Sequence, residues 1–363
     1  MALVPKHIKQ LSPYQAGKPI EEVQRELGLE RIVKLASNEN SLGPSSRVIE
    51  AVKKSLSENH RYPDPIGFEL RNKLAEIYNL KLNNVVLGAG SEGIMSIIMR
   101  TFLLPTDEIV AATNSFIGFK VLANSSGIHT NWVKMNNYHY NLEAMADSIN
   151  EYTKVIYLAN PDNPTGTYFT INEFDAFMKK VPNRTIVILD EAYYEFAMDK
   201  DDYPDSMYYR YDNVITLRTF SKAYGLAGFR IGYGFGHEDL IGNLLKVKLP
   251  FEPSLSAQVA GLAALSDTEY LNKTLSVNNL GKEYLYFQLK KLGYYYIKTA
   301  ANFITIVLNS PLEAENICFD LLKKGVIVRH LKGFGWPECI RVSIGSASEN
   351  KFFIENLKII QRA

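Results

Sequence analysis

The sequence predicts an α/β protein: a large unit on a mostly parallel central sheet, followed by a smaller C-terminal α/β unit. Two observations carry this. Between about residue 46 and Pro250, short apolar runs (VVLGAG, EIVAAT, VIYLAN, IVILDEA, VITLRTF, IGYGFG) alternate with stretches of helical periodicity, and strands separated by helices pair in parallel. After Pro250 a long helix-prone stretch reaches Lys290, and a second series of strand-like runs follows: NFITIVL, GVIVRHL and IRVSIG.

In chain order, residues 1–40 mix Pro, Gly and short charged runs and read as an arm with one short helix, Glu21 to Leu29. Residues 41–255 form the large unit, and residues 256–363 the small one, against which the arm packs. The small unit's strands are expected to form an antiparallel sheet, with helices near Glu313 to Lys324 and at the C-terminus, hinged to the large unit through one long helix. At 363 residues the chain has ample material for a large core. Forty basic residues against 39 acidic ones leave a net charge of +1, which favours neither nucleic acid nor an anionic membrane. Small molecules and other protein chains are the expected partners. Cys318 and Cys339 lie in no CxxC or Cys/His cluster, so no metal site or disulfide framework is expected, and a cytoplasmic location fits. No apolar leader or membrane span is expected either.

Open α/β sheets bind ligands beyond the carboxyl ends of their strands. Four runs stop at chemically loaded residues there. In VVLGAGSEG, Gly88, Gly90 and Gly93 satisfy GxGxxG, but Asp107 and Glu108 precede the next strand where a dinucleotide site needs an acid at its end. A single phosphate on the free N–H groups near Gly90, Ser91 and Glu92 remains. In LANPDNPTG, Asn163 sits in a rigid turn. In IVILDEAYYEF, Asp190 ends a buried strand, where a carboxylate is costly unless it meets a cation or several donors. In TLRTFSKAYGLAGFRIGYG, Ser221 and Lys222 directly follow a strand and Arg230 opens the next. A lysine that must form an imine has to shed its proton, which desolvation and a neighbouring Arg both promote. Together these pieces ask for a ligand with a phosphate, an aromatic ring and an aldehyde. Pyridoxal 5′-phosphate meets all three demands, with Asp190 partnering its ring nitrogen.

Nearly the whole chain resembles the fold-type I aminotransferases, and more narrowly the histidinol-phosphate aminotransferase family, through SPYQAGKP, LASNENSLGPS, RYPDP, LGAGSEGI, NPDNPTG, DEAY, SKAYGLAGFRIGY, VRHLKGFG and IRVSIG in the family's order. The resemblance implies Lys222 as Schiff-base lysine and proton carrier, Asp190 on the pyridinium, and Asn163 and Tyr193 on the cofactor's phenolic oxygen. It places the phosphate on Ser91, Glu92, Ser221 and Arg230, and Phe116 over the pyridine. Tyr62 would come from the neighbouring subunit of a homodimer with shared sites. Arg341, assisted by Arg329 and Tyr14, would take the substrate's phosphate or carboxylate, and Asn38 lies in the segment folded over the site. The implied reaction is transamination between L-histidinol phosphate and 2-oxoglutarate, giving imidazole-acetol phosphate and L-glutamate in histidine biosynthesis.

The rivals within this resemblance are an aromatic amino-acid aminotransferase and a threonine-phosphate decarboxylase. An NAD-dependent oxidoreductase would rest on GAGSEG alone and leave Lys222, Asp190 and NPDNPTG unexplained. A cofactor-binding regulator would need a DNA-binding appendage for which the chain has no room.

Overall fold

The computed structural model describes residues 3–13, 17–206 and 211–362. Its strands are β1 (Val33–Lys34), β2 (Val85–Gly88), β3 (Glu108–Ala112), β4 (His129–Val133), β5 (Thr153–Ala159), β6 (Ile186–Asp190), β7 (Val214–Thr219), β8 (Gly232–Phe235), β9 (Tyr295–Ile297), β10 (Phe303–Val307), β11 (Val326–Ile327), β12 (Arg329–His330) and β13 (Cys339–Ser343). Among the described residues the central sheet has seven strands in the order β2-β8-β7-β6-β5-β3-β4. Only β8 runs against its neighbours, so the sheet is mostly parallel, as expected. The edge strand β4 has no counterpart among the apolar runs, because HTNWV is half-exposed and carries polar residues where a buried strand would be apolar.

Alternation along the strands sorts the side chains onto two faces. Val155, Tyr157, Ile186, Ile188, Ile215 and Leu217 pack beneath the helices Gly90–Phe102 and Glu238–Val247. Ile156, Leu158, Val187 and Leu189 meet Phe169, Phe174 and Phe177 on the other side. A further core joins the β2, β7 and β8 end of the sheet to the helices Phe68–Ile77 and Leu255–Leu265, the latter through Ala257, Ala260 and Ala264.

Asp267 accepts from the Tyr270 N–H and starts the helix Thr268–Lys291, which leads away from the large sheet. Beyond it lies the expected antiparallel sheet, β12-β13-β10-β9. Leu285, Leu289, Ile317, Leu321, Phe353 and Leu357 back this sheet from the long helix and from Pro311–Lys323 and Ala347–Arg362. In the arm, β1 pairs in parallel with β11, carrying residues 33–38 across the small sheet toward the carboxyl ends of the large one. No helix among the described residues is long and apolar enough to cross a membrane.

Candidate active site

The carboxyl ends of β2, β5, β6 and β7 converge on one cavity. At the end of β2, Ala89 gives no side-chain cap to the helix Gly90–Phe102, so its first N–H groups are left for another acceptor. Gly90 has φ +74°, and a Cβ there would lie 2.8 Å from Arg230 Nη2. A Cβ on Gly232 would lie 2.6 Å from both Gly90 C and Ser91 N. These glycines let β8 and Arg230 press against the helix start. Ser221, held by a 3.0 Å hydrogen bond from Thr219 Oγ1, completes a set of donors suited to a phosphate. Arg230 pairs at 3.4 Å with Glu92, which faces the same space.

Asp190, at the end of β6, faces this cup across the cavity. Its Oδ2 accepts from Tyr157 at 2.8 Å, while its buried Oδ1 has no hydrogen-bond partner among the described residues. Burial pushes the carboxyl up to about 7. A buried acceptor of this kind calls for a cationic donor in the cavity. Donors for an anion at one end and an acceptor for a ring N–H⁺ at the other fit pyridoxal phosphate.

The turn after β5 is built on Asp162, which the sequence reading passed over. It accepts from Ser115 Oγ at 2.6 Å and from Thr165 Oγ1 at 2.8 Å, and burial raises it to about 6. The turn presents Asn163, whose Oδ1 accepts from Arg341 Nη1. Arg341 Nη2 donates to Ala36 O at 2.8 Å, so one guanidinium ties the arm to this turn. Arg329 lies opposite Arg341 in the β12–β13 register and faces the same cavity.

Asn38 is the knot of the arm. It sits at φ +56°, its N–H donates to Ser343 Oγ at 2.8 Å, and its Nδ2 donates to Tyr193 Oη at 2.9 Å. Tyr193, pushed up to about 12 by burial, therefore keeps its own proton as a donor.

Lys222 stands between the two halves of the site. Its Nζ donates to Ser37 O at 3.3 Å and lies 5.8 Å from the Tyr193 ring centroid. Burial, then the Arg341 and Arg230 charges, bring it down to about 8, against the opposing pull of Glu39 and Glu92. The sequence anticipated this direction and its neighbouring Arg, but not that Arg341 would act more strongly than Arg230.

Ser91, Glu92, Phe116, Asn163, Asp190, Tyr193, Ser221, Lys222 and Arg230 line the inner cavity. Asn38, Arg329 and Arg341 line an outer one, which shares Glu92, Phe116, Asn163 and Lys222 with the first. Tyr62 lines neither. It is 80% exposed and stacked on Phe251 at 4.3 Å between ring centroids. Tyr14 lies outside the described residues. Tyr157, Asp162 and Thr219 are the functional neighbours that sequence reasoning missed. Their side chains act on other residues rather than forming motifs of their own.

Residues 30–357 match the family described as aminotransferase class I and II. The histidinol-phosphate aminotransferase 2 of Carboxydothermus hydrogenoformans is 40% identical over 360 residues, covering 99% of each chain. The histidinol-phosphate aminotransferase of Caldicellulosiruptor saccharolyticus is 41% identical, covering 97% of this chain and 98% of its own. Among solved structures, the Sinorhizobium meliloti histidinol-phosphate aminotransferase in complex with pyridoxal-5′-phosphate superposes with a TM-score of 0.91 at 26% identity, covering 100% of this chain and 98% of its own. The Thermus thermophilus aspartate aminotransferase with maleate shares the fold, with a TM-score of 0.83 at 19% identity and full coverage of both chains.

Proposed function

The chain belongs to the class I and II aminotransferase family, and we propose that it transfers an amino group between L-histidinol phosphate and 2-oxoglutarate, giving imidazole-acetol phosphate and L-glutamate. The observation that carries this reading is Arg341, a buried guanidinium held by Asn163 and Ala36 in the cavity that also holds Lys222. Its planar fork suits the phosphate ester of one substrate and the carboxylate of the other. Likeness to histidinol-phosphate aminotransferases along the full chain supports the choice of substrate.

The cofactor is pyridoxal 5′-phosphate, which when bound supplies an electron-withdrawing ring that acidifies the substrate Cα–H. In this reading Asp190 Oδ1 accepts from the ring nitrogen and keeps it protonated. Because Asn163 Oδ1 is taken by Arg341, and Tyr193 Oη already accepts from Asn38, Asn163 Nδ2 and the Tyr193 hydroxyl proton are the donors left for the phenolic oxygen. The helix start at Ser91 and Glu92, with Ser221 and Arg230, would hold the phosphate, and Phe116 would cover the ring. Lys222 Nζ carries the cofactor and afterwards takes and returns the proton at the substrate Cα, a task its lowered pKa suits. Arg341, with Arg329 and Tyr14, receives the substrate anion, and Asn38 closes the arm over it.

Substrate enters between the large unit (41–255), the small unit (256–363) and the arm (1–40). The enzyme works as a homodimer in the cytoplasm. Tyr62, exposed on its own subunit, enters the cofactor site of its partner, and the free thiols of Cys318 and Cys339 suit a reducing compartment.

A second reading, aromatic amino-acid transamination, has one observation in its favour: Phe116, Ile117, Val121, Leu122 and Phe334 give the outer cavity an apolar wall that would accept a phenyl ring. The two separate by experiment. The cofactor-loaded protein is mixed with L-histidinol phosphate or with L-phenylalanine, and the visible absorbance is followed in single turnover. Rapid loss of the band with histidinol phosphate alone supports the proposal, and preferential loss with phenylalanine overturns it.

A further inference from the structure

Directly behind the cofactor-facing residues lies a buried ion pair that the reaction does not use. Arg218, on β7, and Glu191, immediately after β6, are both fully buried. Arg218 Nε and Nη2 each lie 2.8 Å from Glu191 Oε2. The guanidinium carbon sits 3.3 Å from the Tyr194 ring centroid and 5.0 Å from that of Tyr78. Glu195, also buried, has its carboxyl pushed up to about 7 by burial, and it is Glu191 that bonds Arg218 directly.

A buried pair is weak evidence for stability, because desolvating two charges offsets most of their attraction. Its position in the chain suggests another task. Glu191 follows Asp190 and stands two residues before Tyr193, while Arg218 stands three residues before Ser221 and four before Lys222. The sheet pairing between these strands reaches its end here, at the hydrogen bond from Glu191 N to Leu217 O of 2.8 Å. Beyond that point the segment after β6 enters a turn, while β7 runs on through Arg218 and Thr219 beside β8 before its own turn. The side chain of Tyr194, in the first turn, is pinned against the guanidinium rising from the other strand.

We infer that Arg218 and Glu191 are positioning residues: their ion pair sets the spacing between the segment carrying Asp190 and Tyr193 and the segment carrying Ser221 and Lys222. A cofactor held by Asp190 and Tyr193 on one segment and by Ser221 and Lys222 on the other would be gripped less well at both ends if their separation changed. The inference rests on pyridoxal phosphate being the cofactor and not on the identity of the substrate.

The test compares full-length Arg218→Lys, Glu191→Gln and the double variant Arg218→Met/Glu191→Leu with the parent. The readouts are apoprotein melting temperature, pyridoxal phosphate dissociation constant, and the induced circular dichroism of the bound cofactor in the visible range. Glu191→Gln leaves a buried charge without its counter-ion and is expected to lose stability. The double variant removes both charges and should melt near the parent. If the pair positions the site, the double variant still binds the cofactor about ten-fold or more weaker, with altered visible dichroism. Arg218→Lys, which keeps the charge but not the planar fork, should fold and show the same defect in smaller degree. A double variant with the parent's dissociation constant and dichroism would reduce the pair to a structural element and overturn the inference. Should the double variant not fold, a parental dissociation constant and dichroism in Arg218→Lys overturns it equally. Failure of the parent itself to bind pyridoxal phosphate would instead sink the cofactor assignment.

Discussion

Replacing Asp190 by Asn should move the apoprotein and the cofactor-loaded protein in opposite directions. In the apoprotein the buried carboxyl is raised from 3.8 to about 7 by burial. The native state thus binds a proton more tightly than the unfolded chain. Its penalty is absent below about pH 4, grows as pH rises between the two pKa values, and is complete above about pH 7. Taken at face value the shift is worth about 4 kcal/mol at pH 8, an upper bound because water entering the cavity relieves part of it. Asn has the same shape, can still accept from Tyr157, and carries no charge. At pH 8 the Asp190→Asn apoprotein should therefore melt about 2–5 °C higher than the parent, with the two converging near pH 4. Adding pyridoxal phosphate reverses the order, because the parent gains a cation for its orphaned Oδ1 while the variant does not. The assay is calorimetry of both apoproteins from pH 4 to 8, with and without cofactor. An apoprotein variant no more stable than the parent at pH 8, or a stability difference independent of pH, would refute the reasoning.

Three other outcomes follow from the geometry. Arg341→Lys, which loses the planar fork and the bond to Asn163, should lower kcat/KM for histidinol phosphate by about 100-fold, with a smaller loss of cofactor affinity, measured by steady-state kinetics and cofactor titration. Gly232→Ala drives a Cβ to 2.6 Å from the backbone of Gly90 and Ser91, so cofactor should dissociate about ten-fold or more faster in a filtration assay while the apoprotein loses about 1–3 kcal/mol in denaturant titration. Mixed dimers of Lys222→Ala and Tyr62→Ala subunits should contain one intact site, with parental cofactor affinity and turnover at that site; if Tyr62 serves its own subunit, mixing restores nothing.

Much of the site was legible because chemistry gathers at strand ends, and strand ends can be read from a single sequence. Asp190 is the last residue of β6, and Ser221 and Lys222 lie just past the end of β7, so the strand runs themselves mark where these residues meet the crevice. Residues whose effect depends on a distant partner could not be read in this way. Arg218 is one residue inside a strand pattern, and nothing local distinguishes it from a solvated arginine until Glu191 is placed beside it across the sheet. Tyr157 looks like core until its hydroxyl is found on Asp190, 33 residues later. The bond from Asn38 to Tyr193 spans 155 residues, and that from Arg341 to Asn163 spans 178. Edge strands suffer from the opposite problem. In β4 half-burial blurs the alternation, so HTNWV carries no apolar run to read.

The site's charges also bear on the proton of Lys222 before any ligand arrives. Arg341 lowers the Lys222 pKa more than Arg230 does, yet Arg341 belongs to the small sheet and to the part of the cavity that, in the proposed reaction, receives the substrate anion. Burial lowers the Lys222 pKa most, and the largest charge contribution to it comes from across the seam between the two sheets. An anion reaching Arg341 offsets that positive charge and lets the Lys222 amine hold a proton more firmly, at the stage when the amine has to accept one from the substrate Cα. In the proposed reaction one guanidinium would thus serve two stages: in the apoprotein it favours the free amine that joins the cofactor, and once substrate has displaced Lys222 it no longer opposes proton capture by the released amine.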